Sequence, residues 1–167
     1  MLAYDPIAEA RRRWEQHGWG AAAPGMALIT SVVRVQQVFV VRIEQELRPL
    51  GLSLARYEVL MLLIFSHKGE LPLGKIGAHL QVQPGAITNA VDRLEADGYV
   101  VRRQHPTDGR TTLAKITTKG RSKAMKAVQL LNERVYKALD LPLEKVDELL
   151  ILLQSVRAKA GDFPPQD

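Results

Sequence analysis

The sequence contains no cysteine. That excludes disulfides, thiolate nucleophiles, zinc–thiolate sites and cysteine-based peroxide sensing. No unbroken apolar run comes near the roughly 18 residues of a membrane-spanning helix. The first residues, MLAYDPIAEARRRWEQ, lack the apolar stretch of a signal peptide. A cytoplasmic protein without a membrane partner is therefore the expectation. The 4 histidines, His17, His67, His79 and His105, are scattered, with no HExxH and no metal-ligand spacing. There is neither a Gly-rich phosphate loop nor a nucleophile elbow. Neither an enzyme nor a cofactor is expected. Internal repeats and low-complexity segments are missing as well.

What remains is an ordinary globular composition, 46% hydrophobic and 25% charged in 167 residues. It suits one compact domain, with or without helical arms. The formal charge of +5 favours an anionic partner such as nucleic acid, although charge alone does not separate that from an anionic membrane surface.

The informative stretch is Leu71–Gly98. Leu73, Ile76 and Leu80 form one apolar stripe at helical spacing, and Ile87, Val91 and Leu94 form another. Between them lies Gln81-Val82-Gln83. Pro84 then opens the second helix, where a missing N–H costs nothing, and Gly98 stops it. Helix, three-residue turn, helix is a helix-turn-helix, whose second helix can enter a DNA major groove. A plain helical hairpin fits these two stripes equally well.

The flanking chain decides between the two. After Gly98 the pattern changes from helix to strand. The β-branched runs Tyr99–Gln104 and Thr111–Thr117 enclose the turn cluster His105-Pro106-Thr107-Asp108-Gly109-Arg110. A hairpin directly after a candidate recognition helix is a wing. Upstream, Asp5–His17 reads as a short helix capped by Asp5, with Trp14 and Trp19 packing it on the body, and Gly18–Gly25 reads as a linker. Met26–Leu47 is a long helix apolar on two sides, so it needs covering on more than one side. Ser53 caps a helix over Leu54–Phe65. Thr118–Leu139 and Pro142–Lys159 carry apolar stripes longer than the central domain needs. Gly161–Asp167 reads as a frayed tail.

This order of elements resembles the MarR family of bacterial transcription regulators. The residues carrying the resemblance are Leu50-Gly51-Leu52-Ser53 with Tyr57 and Leu60, then Ala86–Glu95, Gly98-Tyr99-Val100, the wing turn 105–110 and Ile116–Gly120. Asp108, Arg110, Thr117 and Gly120 match the family's wing pattern residue by residue. The resemblance implies a fold that is mainly α with a small antiparallel β-hairpin wing, a winged helix-turn-helix in an interlocked helical homodimer. Its divisions are an arm and linker at 1–25, dimerisation helices at 26–50 and 118–160, the winged helix-turn-helix at 51–117, and a tail at 161–167. It also implies a repressor that binds a pseudo-palindromic double-stranded operator. An architectural DNA binder without operator specificity is the alternative.

On these readings, Gln83, Gly85, Thr88, Asn89 and Arg93 form the DNA-facing side of the second helix. Arg110 suits a narrow minor groove, oriented by Asp108. Lys75, Arg102, Arg103 and His105 are candidate phosphate neighbours. Gln83 stands where a Ser or Thr cap is usual, and Gly109 is expected to loosen the wing tip. The family's cleft for small aromatic or phenolic anions implies Trp14, Arg34, Arg56, Tyr57 and His67 as its edges.

Overall fold

The structure, a computed structural model, describes residues 2–164. It is mainly helical, with one small antiparallel sheet. Helix α1 spans Pro6–Gln16, capped as expected by Asp5, whose carboxylate accepts from the Ile7 N–H at 2.9 Å. Helix α2 runs Ala23–Leu47 and ends in a 3₁₀ turn at Arg48–Leu50, closed by left-handed Gly51. Pro24 lies in the first turn of α2, where its fixed φ fits a helix start. The expected linker is therefore shorter than Gly18–Gly25, because Ala23 to Gly25 are already helical. Ala23 is fully buried. Trp14 and Trp19 pack edge-on against each other, ring centroids 5.4 Å apart, while α1 lies along α2.

Helix α3, Leu54–Phe65, starts at Ser53, whose hydroxyl accepts from the Arg56 N–H. Then come strand β1 (Glu70–Pro72), helix α4 (Leu73–Leu80) and helix α5 (Pro84–Ala96), followed by strands β2 (Val100–Gln104) and β3 (Thr112–Ile116). The sheet has 3 strands in the order β1-β3-β2, all antiparallel, with Leu71 opposite Ala114 and Arg102 opposite Ala114 from the other side. The expected wing was a two-stranded hairpin. The third strand comes from a segment too short for its own periodicity to announce it, and its partner lies far along the chain.

Helix α6, Thr118–Leu131, is capped by Thr117 and passes into one π-helical turn at Asn132–Tyr136. It thus ends before Leu139, short of the expected boundary. Helix α7 covers Leu143–Lys159. Among the tail residues described, Gly161 to Pro164, the start is an ordered helix cap with a fixed carboxylate, so the expected fraying does not begin there. Residues 165–167 of that tail lie outside the described residues.

The core sits under the helix-turn-helix. Leu60, Leu63, Ile76, Val91 and Leu94 are buried together with Leu47, Val100 and Leu131. It fixes α5 against α3, α4 and the sheet. By contrast α7 buries none of its residues within the chain, and most of α2 is open. By length and composition alone α2 could cross a membrane, with a mean hydropathy of 1.5 over its most apolar window and none of that window buried. Arg34, Gln36 and Gln37 interrupt its middle.

Candidate DNA-binding site

The candidate recognition surface is built on α5. Ile87, Ala90, Val91 and Leu94 face the core, which turns Gly85, Thr88, Asn89 and Arg93 outward. The structure brings Gln83 to the same exposed end, as the residue before Pro84. Its side chain makes no capping bond, as the missing Ser or Thr would suggest. The Thr88 hydroxyl donates to the Pro84 carbonyl at 3.2 Å. Lys75 is exposed on α4. A groove of about 380 Å³ separates α4 from the start of α5, lined by Gly74, Gly77, Gln81, Pro84 and Thr88 among others.

The wing tip is organised by Asp108. Its carboxylate accepts from the Arg110 backbone N–H at 3.1 Å and from the Thr111 hydroxyl at 2.6 Å. The Thr111 hydroxyl bond, then the Arg110 N–H, holds the Asp108 carboxyl below its usual range. Asp108 therefore holds Arg110 through its backbone N–H and shapes the turn from which that side chain leaves. The Gly109 carbonyl accepts from Gln104 Nε2 at 3.0 Å, which ties the tip back to β2. Arg103 and Arg110 are exposed, and His105 is half-buried with Nδ1 facing the Thr107 N–H.

Arg102, expected as a phosphate neighbour, is paired within the chain. Its guanidinium meets Asp92 at 2.6 Å and Glu95 at 2.5 Å, both on α5, and its backbone N–H donates to Glu95 at 2.9 Å. The wing is thereby braced to the recognition helix. Neither acid was singled out as a site residue, although two acids at i, i+3 on the helix preceding an Arg-bearing strand are the signal that could have found them. Arg102→Ala is expected to remove about 1 kcal/mol from these partly exposed pairs. Thermal unfolding should register a fall of roughly 2–4 °C, with the salt slope of DNA binding unchanged. A slope reduced by about one unit would restore the phosphate role.

The Arg102 backbone N–H, then its guanidinium, pulls the Glu95 carboxyl below its usual range. A group whose folded-state value is lowered contributes its full stability above the ordinary carboxylate range and loses it as pH falls through the lowered value. Glu95→Gln is expected to remove that acid-dependent component. Urea unfolding at neutral and acidic pH would show whether the two proteins converge on acidification.

The far end of α5 is fixed as well. Lys119 Nζ donates to the Asp97 carbonyl at 2.7 Å and lies 5.1 Å from the Tyr99 ring centre, and Arg56 reaches the Asp97 carboxylate at 3.4 Å. A cation at a helix C-terminus complements its dipole.

The expected ligand residues do not meet in one chain. Trp14 lines a shallow cleft of about 280 Å³ with Ala10, Arg13, His17 and Trp19. Arg34 lies on open α2 beside Gln37, Arg56 is engaged with Asp97, and His67 is exposed in a loop. Tyr57 is buried, and burial, with Tyr136 beside it, pushes its phenol up to about 12.

A helix-turn-helix whose second helix is braced to a three-stranded wing defines a winged helix-turn-helix protein. The chain belongs to the MarR family, whose profile matches residues 52–112. Sco5413, a MarR family transcriptional regulator from Streptomyces coelicolor, is 42% identical, covering 85% of this chain and 99% of that one with a TM-score of 0.77. MhqR, an HTH-type transcriptional regulator of Bacillus subtilis, is 44% identical over 70 residues, 42% of this chain and 47% of MhqR. The match thus spans about half the length of that curated relative. A MarR variant from E. coli, solved with operator DNA, is 27% identical, covering 81% of this chain and 96% of that one, TM-score 0.74. CouR from Rhodococcus jostii, bound to p-coumaroyl-CoA, is 27% identical, covering 81% and 92%, TM-score 0.67.

Proposed function

We propose that this protein is a transcriptional repressor that binds a pseudo-palindromic double-stranded operator as a homodimer. The observation carrying this is the exposed polar face of α5 with Arg110 projecting from a braced wing beside it. Asn89, Gln83 and Thr88 can read base edges, Arg93 a base or phosphate, and Arg110 a narrow minor groove. Lys75, Arg103 and His105 serve the backbone. The relative from E. coli solved with operator DNA supports this use of the fold.

The open apolar faces of α2 and α7 support a second copy as their cover. Lipid suits them less well, since Arg34, Gln36 and Gln37 would sit mid-span. The two recognition helices then lie about 34–36 Å apart, one turn of DNA. A regulator of this kind works in the cytoplasm, without catalysis. Release by a small aromatic anion is part of the reading, and CouR, bound to p-coumaroyl-CoA, supports a ligand site in this fold. The cleft between the dimer helices and the DNA lobe would have Tyr57 as a neutral hydroxyl donor, with Arg34, Arg56, His67 and Trp14 at its edges.

A footprint over the intergenic DNA beside the protein's own gene tests the central claim. A protected palindrome with a specificity ratio of at least about 10³ is expected. A ratio near one would favour the architectural alternative. Arg110→Ala is expected to weaken operator binding roughly tenfold and leave the oligomer intact. Gel shifts paired with sedimentation would check both halves, and undiminished affinity at moderate salt would remove Arg110 from the interface.

A further inference from the structure

Two helix ends of the same design meet in this chain. At the end of α4 the Gln81 N–H bonds the Ala78 carbonyl at 3.4 Å and the Val82 N–H bonds the Gly77 carbonyl at 3.2 Å. At the end of α7 the Gly161 N–H bonds Ala158 at 3.0 Å and the Asp162 N–H bonds Arg157 at 3.1 Å. This paired closure places one residue in the left-handed region and favours glycine there. Gly161, at φ 77°, satisfies it. Gln81, at φ 53°, occupies the same position with a side chain. Such strain persists where the surroundings hold it, and it concentrates at functional positions.

The Gln81 side chain has a partner. Its Nε2 donates to Asp162 Oδ1 at 2.5 Å, joining segments 81 residues apart in sequence. The other carboxylate oxygen accepts from Arg157 Nε at 2.6 Å, and the Arg157 guanidinium lies 5.1 Å from the Phe163 ring centre. The Asp162 side chain is only 20% exposed. The Gln81 bond, then Arg157, holds its carboxyl below the usual range. Among the described residues, no other side-chain hydrogen bond joins the segment from α7 onward to the rest of the chain.

We infer that Gln81 and Asp162 are positioning residues for DNA binding, forming a latch that ties the turn of the helix-turn-helix to the end of α7 and so fixes the separation of the two recognition helices. This rests on the homodimeric DNA-binding reading. Gln81 lies in the turn that leads into α5. Each lobe is joined to α2 and α6 by the covalent passages from α2 to α3 and from β3 to α6, by the packing of α3 on α6 and by bonds such as Lys119 to the Asp97 carbonyl. The latch adds an attachment to α7, at the turn between α4 and α5. Rotating the lobe away from α7 requires breaking it.

The full-length protein and its Asp162→Ala, Gln81→Gly and Asp162→Asn variants would be compared in two measurements. The first is amide hydrogen exchange without DNA. Asp162→Ala is expected to speed exchange at 81–83 about tenfold, and Gln81→Gly to do the same at 157–163, with no loss of Tm because glycine suits φ 53°. The second is binding to operators whose half-site spacing is lengthened or shortened by a base pair. The wild type should lose about tenfold on such operators and the Asp162→Ala and Gln81→Gly variants less than about threefold, while Asp162→Asn, which keeps one acceptor oxygen for Gln81 and gives up the one on Arg157, should retain the wild-type profile. Unchanged exchange across the contact would overturn the latch. Faster exchange with an unchanged spacing profile would reduce it to a structural contact and overturn the positioning role. If the wild type binds no DNA, the proposed function falls and the positioning role with it, while the exchange result still decides whether the latch exists.

Discussion

Glutamate at Ile29 and Leu152 together is expected to convert the protein to monomers and to lower operator affinity by about 10²–10⁴-fold. Ile29 on α2 is 67% exposed and Leu152 on α7 is 64% exposed within a single chain. Exposed apolar side chains are ordinary when they occur singly. Here they are contiguous: Leu28, Val32, Val33, Val35 and Phe39 surround the first, and Leu149, Leu150, Ile151 and Val156 the second. Patches of that extent mark association surfaces. In a two-fold assembly every substitution acts twice, so four carboxylates would enter one apolar interface with no counter-charge supplied. DNA affinity falls because two half-sites engaged by one linked pair become two independent weak events. Lys145→Glu, on the polar side of α7 beside Glu148, is the control and should leave the oligomer unchanged. Sedimentation velocity and gel shifts on the same samples decide the matter. A dimer that survives both substitutions would place the interface elsewhere.

The second large effect is on stability. Gly120→Ala is expected to cost at least about 3 kcal/mol, the upper end of overpacking penalties, and to lower Tm by roughly 10 °C. A Cβ at Gly120 would stand 2.1 Å from the Tyr99 carbonyl oxygen, 2.9 Å from the carbonyl carbon and 3.1 Å from Ile116 Cγ1. The obstructing atoms are backbone and cannot swing aside. They are also pinned, since the Thr117 N–H donates to that same Tyr99 oxygen at 3.0 Å and the Thr117 hydroxyl donates to the Gly98 carbonyl at 2.8 Å. The close approach is what seats the first turn of α6 on the junction between α5 and β2. Moving it would shift the wing and α6 together. Gly74→Ala in α4 provides the contrast. Nothing lies within 4 Å of its added methyl, and its φ is ordinary. Its Tm should stay the same or rise, because alanine is the better helix former by roughly 0.5–1 kcal/mol. Equal Tm values for the two variants would show that the junction gives way more easily than its bonding implies.

Much of the architecture was legible residue by residue. Asp5, Ser53, Pro84 and Gly98 mark helix ends through local chemistry, acting over a few positions of chain, and each is found where the sequence places it. The same holds for the turn Gln81-Val82-Gln83 and for the strands on either side of 105–110. The outward face of α5 was legible because Ile87, Val91 and Leu94 fix the inward one. The boundary at Ala23 is misplaced because Pro24 and Gly25 read as linker although proline fits a first helical turn, and the one after Leu131 because apolar periodicity continues into a π-helical turn.

By itself, then, the sequence determined the order of elements, the recognition face and the excess of apolar surface on α2 and α7, because periodicity and capping act within a turn or two of chain. Only the tertiary structure decided which polar groups meet. β1 pairs with β3 from 43 residues away, Glu70 opposite Lys115 being 45 apart. Arg102 pairs with Asp92 and Glu95, Asp108 holds a backbone turn, Gly120 admits the Tyr99 carbonyl, and Gln81 finds Asp162. A charged or amide side chain reads the same in sequence whether it faces solvent, DNA or another side chain. Its partner is chosen by how the apolar core sets one element against another, and no local pattern carries that information.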